Sequence, residues 1–569
     1  MSDVQKIIEG ISTIVNEITE TARYVNSDSH KRKSITSNSL SLIEKLIEES
    51  GTLKTKFGEI LQYLKSSYNG IDSNSGEFKS NVEHFSDILL NLDNIKKTLN
   101  TLESEIDNLN NIIEEIKNDT EEIFLLAINA SVESSKYSHN AKVFDVLANK
   151  LNEMSNFINQ NLISIVDVVD PIIDGIGKLI NENSIILNDI TEGHKNFIEF
   201  TDILDKQKNA VNELMLKVNT SAEKINDQKM MLEDINEKVG QMDTDAIGAI
   251  TGSGNVIKAG EDLQLKTQEV ISAYNASKDY MEIIDHIHSQ SSSIWQTAEG
   301  VNTKSKSQLE FSLSCVAFCD SIISESAELQ KTTTIVKEQS VNNNNTSNYM
   351  SQALGKLISQ LNEIEKKIVY SNNAIQKFIE DYEQINSIVN FLKSILKSMK
   401  VIGMYSRIES SRDPNEFEGF MTIYENINRL QNHIQKNVPK IEENINSTQV
   451  IIEKINLFLQ SISSVFYAIS NNSNSIIVNL KEITNLSAET ESVGQSIVEK
   501  SIEIDTLLNE LRGFLLELTE VVKKPIEGSA ANITRGKTIE SKCIEVKELI
   551  TQDEIADDVV YENQLQASC

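Results

Sequence analysis

LLAINASVESSKYSHNAKVFDVLANKLNEMSN (Leu125–Asn156) recurs 276 positions later as VIGMYSRIESSRDPNEFEGFMTIYENINRLQN (Val401–Asn432). The two align without a gap. Val132 falls on Ile408, Glu133 on Glu409, Ser134 on Ser410, Ser135 on Ser411 and Lys136 on Arg412. Further along, Phe144 falls on Phe420, Leu151 on Ile427, Asn152 on Asn428 and Asn156 on Asn432. The same offset holds upstream. Leu92, Ile95, Leu99, Leu102, Ile106, Leu109, Ile113 and Ile116 step by three and four, a heptad seam, and Ile375, Phe378, Tyr382, Ile385, Val389, Leu392, Leu396 and Met399 continue the pattern in the second half. At the chain's start, IIEGISTIVNEITETARYVN from Ile7 aligns with IIDHIHSQSSSIWQTAEGVN from Ile283. The chain is a tandem duplication.

Each motif holds turn-permissive residues at its middle, YSHNA from Tyr137 and RDPNE from Arg412. Pro414 disfavours helix at the residue before it. Each repeat therefore reads as a helical hairpin: residues 1–275 with a tip near 137–142, and residues 276–556 with a tip near 412–418, followed by an acidic, fraying tail over 557–569. A descending arm of this length spans roughly 200 Å if fully helical. One hairpin cannot bury a two-sided seam alone, and an equivalent second hairpin completes it. The expected fold is all-α: two long antiparallel coiled-coil hairpins packed as an intramolecular four-helix bundle, a single-chain pseudo-dimer with a small helical head. Tethering raises the effective concentration of the two halves, so pairing needs no second chain.

Composition points the same way. Length alone would suggest several globular domains, but 4 prolines, 21 glycines and 5% aromatics in 569 residues suit long narrow bundles better than wide cores. A formal net charge of −32 argues against nucleic acid and anionic membranes as partners. Apolar runs fall far short of the roughly 20 residues that span a bilayer, and MSDVQKIIEG lacks a signal-peptide core. The chain reads as a cytoplasmic protein without a membrane span.

Chemistry-bearing motifs are few. Cys315 and Cys319 share a helix face, as two small buried hydrophobes or as a metal or redox pair. His286 and His288 point to different faces. No phosphate loop, nucleophile motif or metal-ligand spacing stands out, so neither enzymatic activity, a cofactor nor a metal is expected.

Several stretches read as helix breakers. NSDSHKRKS from Asn26 and NTKSKSQ from Asn302 interrupt the descending arms, while TDAIGAITGSGN from Thr244 and KKPIEGSAANITRG from Lys523 interrupt the ascending ones. A head built from about 1–25, 258–275, 277–300 and 538–556 would lie beyond them. SSYNGIDSNSG from Ser66 and VNNNNTSN from Val341 mark a second irregular level, and Pro171 and Pro439 threaten kinks.

LLAINASVESSK followed by FDVLANKLNEMS resembles the hairpin tip of the cytoplasmic signalling domain of bacterial methyl-accepting chemotaxis proteins. That tip reads Leu-Leu-Ala-Leu-Asn-Ala-Ala-Ile-Glu-Ala-Ala-Arg, a turn, then Gly-Phe-Ala-Val-Val-Ala. The first copy keeps Leu125, Leu126, Ala127, Asn129, Ala130, Glu133, Phe144, Val146 and Ala148; the second keeps Ile408, Glu409, Arg412, Gly419, Phe420 and Leu430. The clear likeness covers about 30 residues per copy. It implies a soluble signal-transduction protein whose tip contacts the chemotaxis histidine kinase and its coupling protein, or other chemoreceptors, and a monomeric pseudo-dimer able to assemble further through the tip. On this resemblance, Glu133 with Lys136 and Glu409 with Arg412 stand at charged receptor contacts, and Leu125 and Ile128 at apolar ones. Asn129 holds the tip asparagine, and Phe144 and Phe420 the phenylalanine after the turn. Read without the resemblance, the charged residues are ordinary i, i+3 helix pairs.

The departures define the alternative, a structural scaffold rod with a degenerate tip and no kinase control. Ser138, Ala141 and Val143 replace turn glycines, Asn152 and Asn428 an arginine, Glu121 an aromatic, and Tyr405 the second tip asparagine. KLIEESGT around Glu48 and Glu49 lacks the small-residue frame of a methylation site.

Overall fold

In a computed structural model the chain forms four helices: α1 (Asp3–Ser134), α2 (Lys142–Asn275), α3 (Met281–Ser410) and α4 (Glu418–Gln566). The structure describes residues 3–136, 142–275, 280–412 and 418–566, with side chains described through Gln552 apart from Asn275. The expected turns near 137–142 and 412–418 lie almost wholly outside the described residues. The all-α fold expected from the seams is the one observed, and both seams are buried along their whole length.

Two compact units divide the chain, and every helix contributes to both. Unit 1 comprises Met1–Ser67, Ala210–Asn344 and Asn485–Cys569; unit 2 comprises Tyr68–Asn209 and Asn345–Thr484.

In unit 1 the antiparallel pairing of α1 with α2 is tied by Asn26 Nδ2, which donates to the Ile250 carbonyl at 2.9 Å, and by Thr36 Oγ1 to Asp243 at 2.7 Å. The α3–α4 pairing repeats the arrangement, with Ser291 Oγ donating to the Gly536 carbonyl and Ser312 Oγ to that of Leu515, both at 2.6 Å. Lys500 with Glu49 joins α4 to α1, and Lys224 with Glu328 joins α2 to α3. The segments expected as a head do pack together, around Ile8, Ile18, Leu263, Ile294, Ile539 and Val546. No break sets them apart, because they are the ends of the same helices.

Unit 2 is also a four-helix bundle. Ser155 Oγ of α2 donates to the Thr120 carbonyl of α1 at 2.8 Å, and at the equivalent place Gln431 Nε2 of α4 donates to the Leu396 carbonyl of α3 at 3.2 Å. The side chain changed between copies while the contact it makes was kept. Asn472 Nδ2 to Asn81 Oδ1 and Asn479 Nδ2 to Asn74 Oδ1, both 3.0 Å, join α4 to α1. Phe78, Phe85 and Phe197 fill one stretch of this core, with the Phe78 and Phe85 ring centroids each 5.2 Å from that of Phe197.

The expected breaks are corrected. Helix continues through Asn26–Ser34, Thr244–Asn255, Asn302–Gln308 and Lys523–Gly536, and through Pro171 and Pro439. The residues that looked like breakers occupy core positions. Ser29, Arg32, Ser305 and Gln308 are fully buried in unit 1. Glycines there admit close helix contact: a Cβ on Gly252 would stand 2.7 Å from Val301 Cγ2, and one on its equivalent Gly528 would stand 2.9 Å from Val25 Cγ2. The asparagine-rich stretches at 66–76 and 341–348 also remain helical, although the boundary between the compact units falls within them. Helix α4 continues to Gln566, into the segment expected to fray.

Candidate interaction surface at the hairpin ends

Near its end α1 divides sharply by face. Ile123, Ala127, Ala130 and Ser134 are buried at heptad spacing, while Leu125, Ile128 and Val132 are 58%, 43% and 55% exposed. Helix α3 repeats the division: Ser406 and Ser410 are buried, and Val401, Met404, Tyr405 and Ile408 are all at least half exposed. The outward apolar residues also step by three and four, so they form a second stripe on each helix that nothing in the bundle requires. Asn129 is exposed beside this stripe, and Tyr405 takes its place on α3.

The charged residues close each helix in the same way. Lys136 Nζ lies 2.6 Å from Glu133 Oε2, and Arg412 Nη1 lies 2.7 Å from Glu409 Oε2. The glutamate side chains are only about one-fifth exposed (22% and 19%), while their cationic partners are mostly in solvent. A backbone bond accompanies each pair, Lys136 N to the Glu133 carbonyl at 3.0 Å and Arg412 N to the Glu409 carbonyl at 3.2 Å. Gly419 at the start of α4 makes room for Glu133, since a Cβ there would meet Glu133 Oε1 at 3.0 Å. The same position on α2 is Val143.

Phe144 and Phe420 come together. Their rings stack at 3.6 Å with 20° between planes, buried in a small core with Ala130 and Ala148. Residues exactly one repeat apart thus face each other across a local pseudo-twofold axis. The expected site residues therefore separate into two groups: Phe144 and Phe420 in the core, and Leu125, Ile128, Asn129, Glu133, Lys136, Glu409 and Arg412 around the helix ends. Val132, Val401, Met404 and Ile408 join the expected contact residues through their exposure alone. Their signal was present, as apolar residues lying off the seam.

A second polar feature is the buried Arg32 layer of unit 1. Arg32 Nη1 donates to Ser305 Oγ at 2.9 Å and to Gln308 Oε1 at 2.5 Å, and Nη2 donates to Ser29 Oγ. Burial pulls the guanidinium down to about 10, a shift opposed by Asp28 and Asp245 nearby; the group stays cationic at neutral pH. Cys315 and Cys319 are buried and free, and burial pushes both thiols up to about 12, which leaves almost no thiolate at neutral pH. Among the described residues no group of three or more His, Cys, Asp or Glu is placed to hold a metal ion, and no helix is long and apolar enough to cross a membrane.

Comparisons with known protein families, with curated proteins and with solved structures yield no match to this chain.

Proposed function

We propose that the protein is a non-enzymatic, chemoreceptor-like signal-transduction protein of the cytoplasm, whose hairpin ends contact the chemotaxis kinase and coupling protein or other receptors. The carrying observation is the outward apolar stripe, present in both copies at Leu125, Ile128 and Val132 and at Val401, Met404 and Ile408, beside a repeated glutamate–cation pair. A surface of this composition, apolar and rimmed by charge, is the usual signature of a protein contact. Signalling would act through small changes in helix packing that alter how the two ends are presented.

The test is binding of the purified protein to the coupling protein and kinase of its own organism, with Glu133→Lys/Glu409→Lys as the control. Specific binding lost in that variant supports a receptor-like tip. Absence of binding at tens of micromolar removes the proposal and leaves the scaffold reading. The exposed Tyr405, standing where the resembling family has asparagine, favours that second reading. Kinase activity measured with and without the protein separates the two even if binding is found.

A further inference from the structure

Acidic residues are spread densely over this chain, 85 of them in 569 residues. At that density a 25-residue stretch would carry about three or four. From Gln384 to Ile408, α3 carries none, and instead holds Lys393, Lys397, Lys400 and Arg407. The facing part of α4, bounded by Glu425 and Glu442, is also free of acid from Asn426 to Ile441.

The cations on α3 fall at i, i+4, i+7 and i+14, one stripe of the helix. Three of them line a groove of about 420 Å³ between α3 and α4 in unit 2. Buried Leu396 and Val438 supply apolar surface there, and Gln431 and Gln435 add amides from α4. Lys393 is paired with Glu442, which closes one end. Lys397 and Lys400 are exposed and have no ion-pair partner among the described residues.

The duplication supplies an internal control. The positions of Lys393, Lys397 and Lys400 are Lys117, Glu121 and Phe124 in the first hairpin. Residues 108–132 there carry Glu114, Glu115, Asp119, Glu121 and Glu122 against the single cation Lys117. The same fold is built with the opposite charge, so bundle formation does not demand these lysines.

We propose that this groove docks an acidic segment of a partner protein, laid along α3 from Lys393 toward Arg407. Charge complementarity selects the partner, since the groove is a cationic strip on an otherwise strongly anionic molecule. The length of the strip selects its form. Fourteen residues of helix extend about 21 Å, more than one phosphate group occupies, and a match for carboxylates spaced along a peptide. Aliphatic side chains between those carboxylates would pack on the lysine methylenes and the exposed edge of Leu396. The inference does not depend on the chemoreceptor-like reading, because it rests on the lysines and the α3–α4 groove and not on the apolar tip residues, although Met404, one heptad beyond Lys397, continues the same face toward the tip.

The experiment is fluorescence anisotropy with the full chain and a labelled 14-residue peptide carrying Glu every three or four residues, with Leu and Ala between. A Gln-for-Glu peptide and inorganic pyrophosphate serve as comparison probes. Saturable binding of the Glu peptide is expected, weakening with salt and falling by about tenfold or more in Lys397→Glu/Lys400→Glu. A Lys45→Glu/Lys65→Glu variant, which makes the same charge change at exposed lysines elsewhere, should retain it. Equal loss in both variants would reduce the effect to net charge and overturn the proposal, as would failure of the Glu peptide to saturate. Lysine-dependent binding of pyrophosphate without the peptide would reassign the groove to small anions. Circular dichroism of each variant establishes that the helices are intact.

Discussion

Two layers of this protein place the same position of both repeats face to face, and they are built in opposite ways. In unit 2, Phe144 stacks on Phe420, one residue type repeated. In unit 1, Arg32 meets Gln308, two residue types at one repeated position. A symmetric dimer could build the first layer, but in the second it would have to bury either two facing guanidiniums or two amides. Two facing guanidiniums repel each other and lose the amide acceptor, which is costly in a buried layer even with Asp28 and Asp245 nearby. Fusing the copies lets one carry the cation and the other the acceptor, so Arg32 Nη1 finds Ser305 and Gln308 when hairpin 1 packs on hairpin 2. Two first hairpins brought together would set Arg32 against Arg32. The apolar layer fills the core, while the polar layer discriminates between partners.

The largest effect is expected from Gln308→Arg, which recreates the forbidden pairing within one chain. It is expected to cost about 3–5 kcal/mol, the range for an uncompensated buried charge, read as a fall in thermal or urea midpoint by circular dichroism. A wild-type midpoint would show that the core there is wet enough to solvate two cations. Phe144→Ala and Phe420→Ala probe the symmetric layer. Each should cost about 3 kcal/mol, toward the low end for a buried phenylalanine because the stack lies near the helix ends. The double variant should cost clearly less than the sum of the two, since the rings touch each other. Hydrogen exchange in residues 123–134 and 418–430 is the local readout.

The converse experiment removes the polarity. Arg32→Met with Gln308→Leu should leave the bundle equally stable or raise its stability by about 1–4 kcal/mol, as apolar replacements of buried ionic groups commonly do. What it should lose is discrimination. Isolated first hairpins carrying Arg32→Met should self-associate more tightly than those carrying Arg32, measured by sedimentation equilibrium.

The sequence made the seams, the duplication and the helical class legible because Leu, Ile and Phe at heptad spacing have one cheap solution, burial against an equivalent hairpin. Leu92–Ile116 and Ile375–Met399 follow that rule without exception. It hid the Arg32 layer because Ser29, Arg32, Ser305 and Gln308 look like surface residues in a loop, and only three-dimensional packing shows that they satisfy one another across the core. It hid part of the outward tip stripe for a related reason. Leu125, Ile128 and Val132 are apolar like the seam, and one chain's pattern does not state which of two apolar stripes faces inward. The resemblance of the tip located the surface and placed Leu125 and Ile128 on it, while Val132, Val401, Met404 and Ile408 joined them through their exposure. The acid-free run from Gln384 to Ile408 was readable from composition, yet its meaning depends on α4 bringing Gln431, Gln435 and Val438 beside it.

Glycine was misread most plainly, and it gives the finest test of how far the two copies remain alike. Gly252 of α2 packs on Val301 of α3, and Gly528 of α4 packs on Val25 of α1, each pair one repeat from the other. A methyl group at either site gains up to about 1 kcal/mol of helix propensity but intrudes on a buried valine, at a cost of about 1–3 kcal/mol. Alanine is therefore expected to be neutral to destabilising by about 2 kcal/mol, and by the same amount in both copies. Gly300, two residues before Asn302, has open space around it, so Gly300→Ala should stabilise by the propensity gain alone, about 0.5–1 kcal/mol. Matched losses at Gly252 and Gly528 beside a gain at Gly300 would show that close helix approach kept these glycines in both repeats while the Arg32 position diverged. Unequal losses would mean that the asymmetry of the Arg32 layer reaches along the core of unit 1 to the glycine contacts, and the two halves would then be equivalent in sequence register but not in energy.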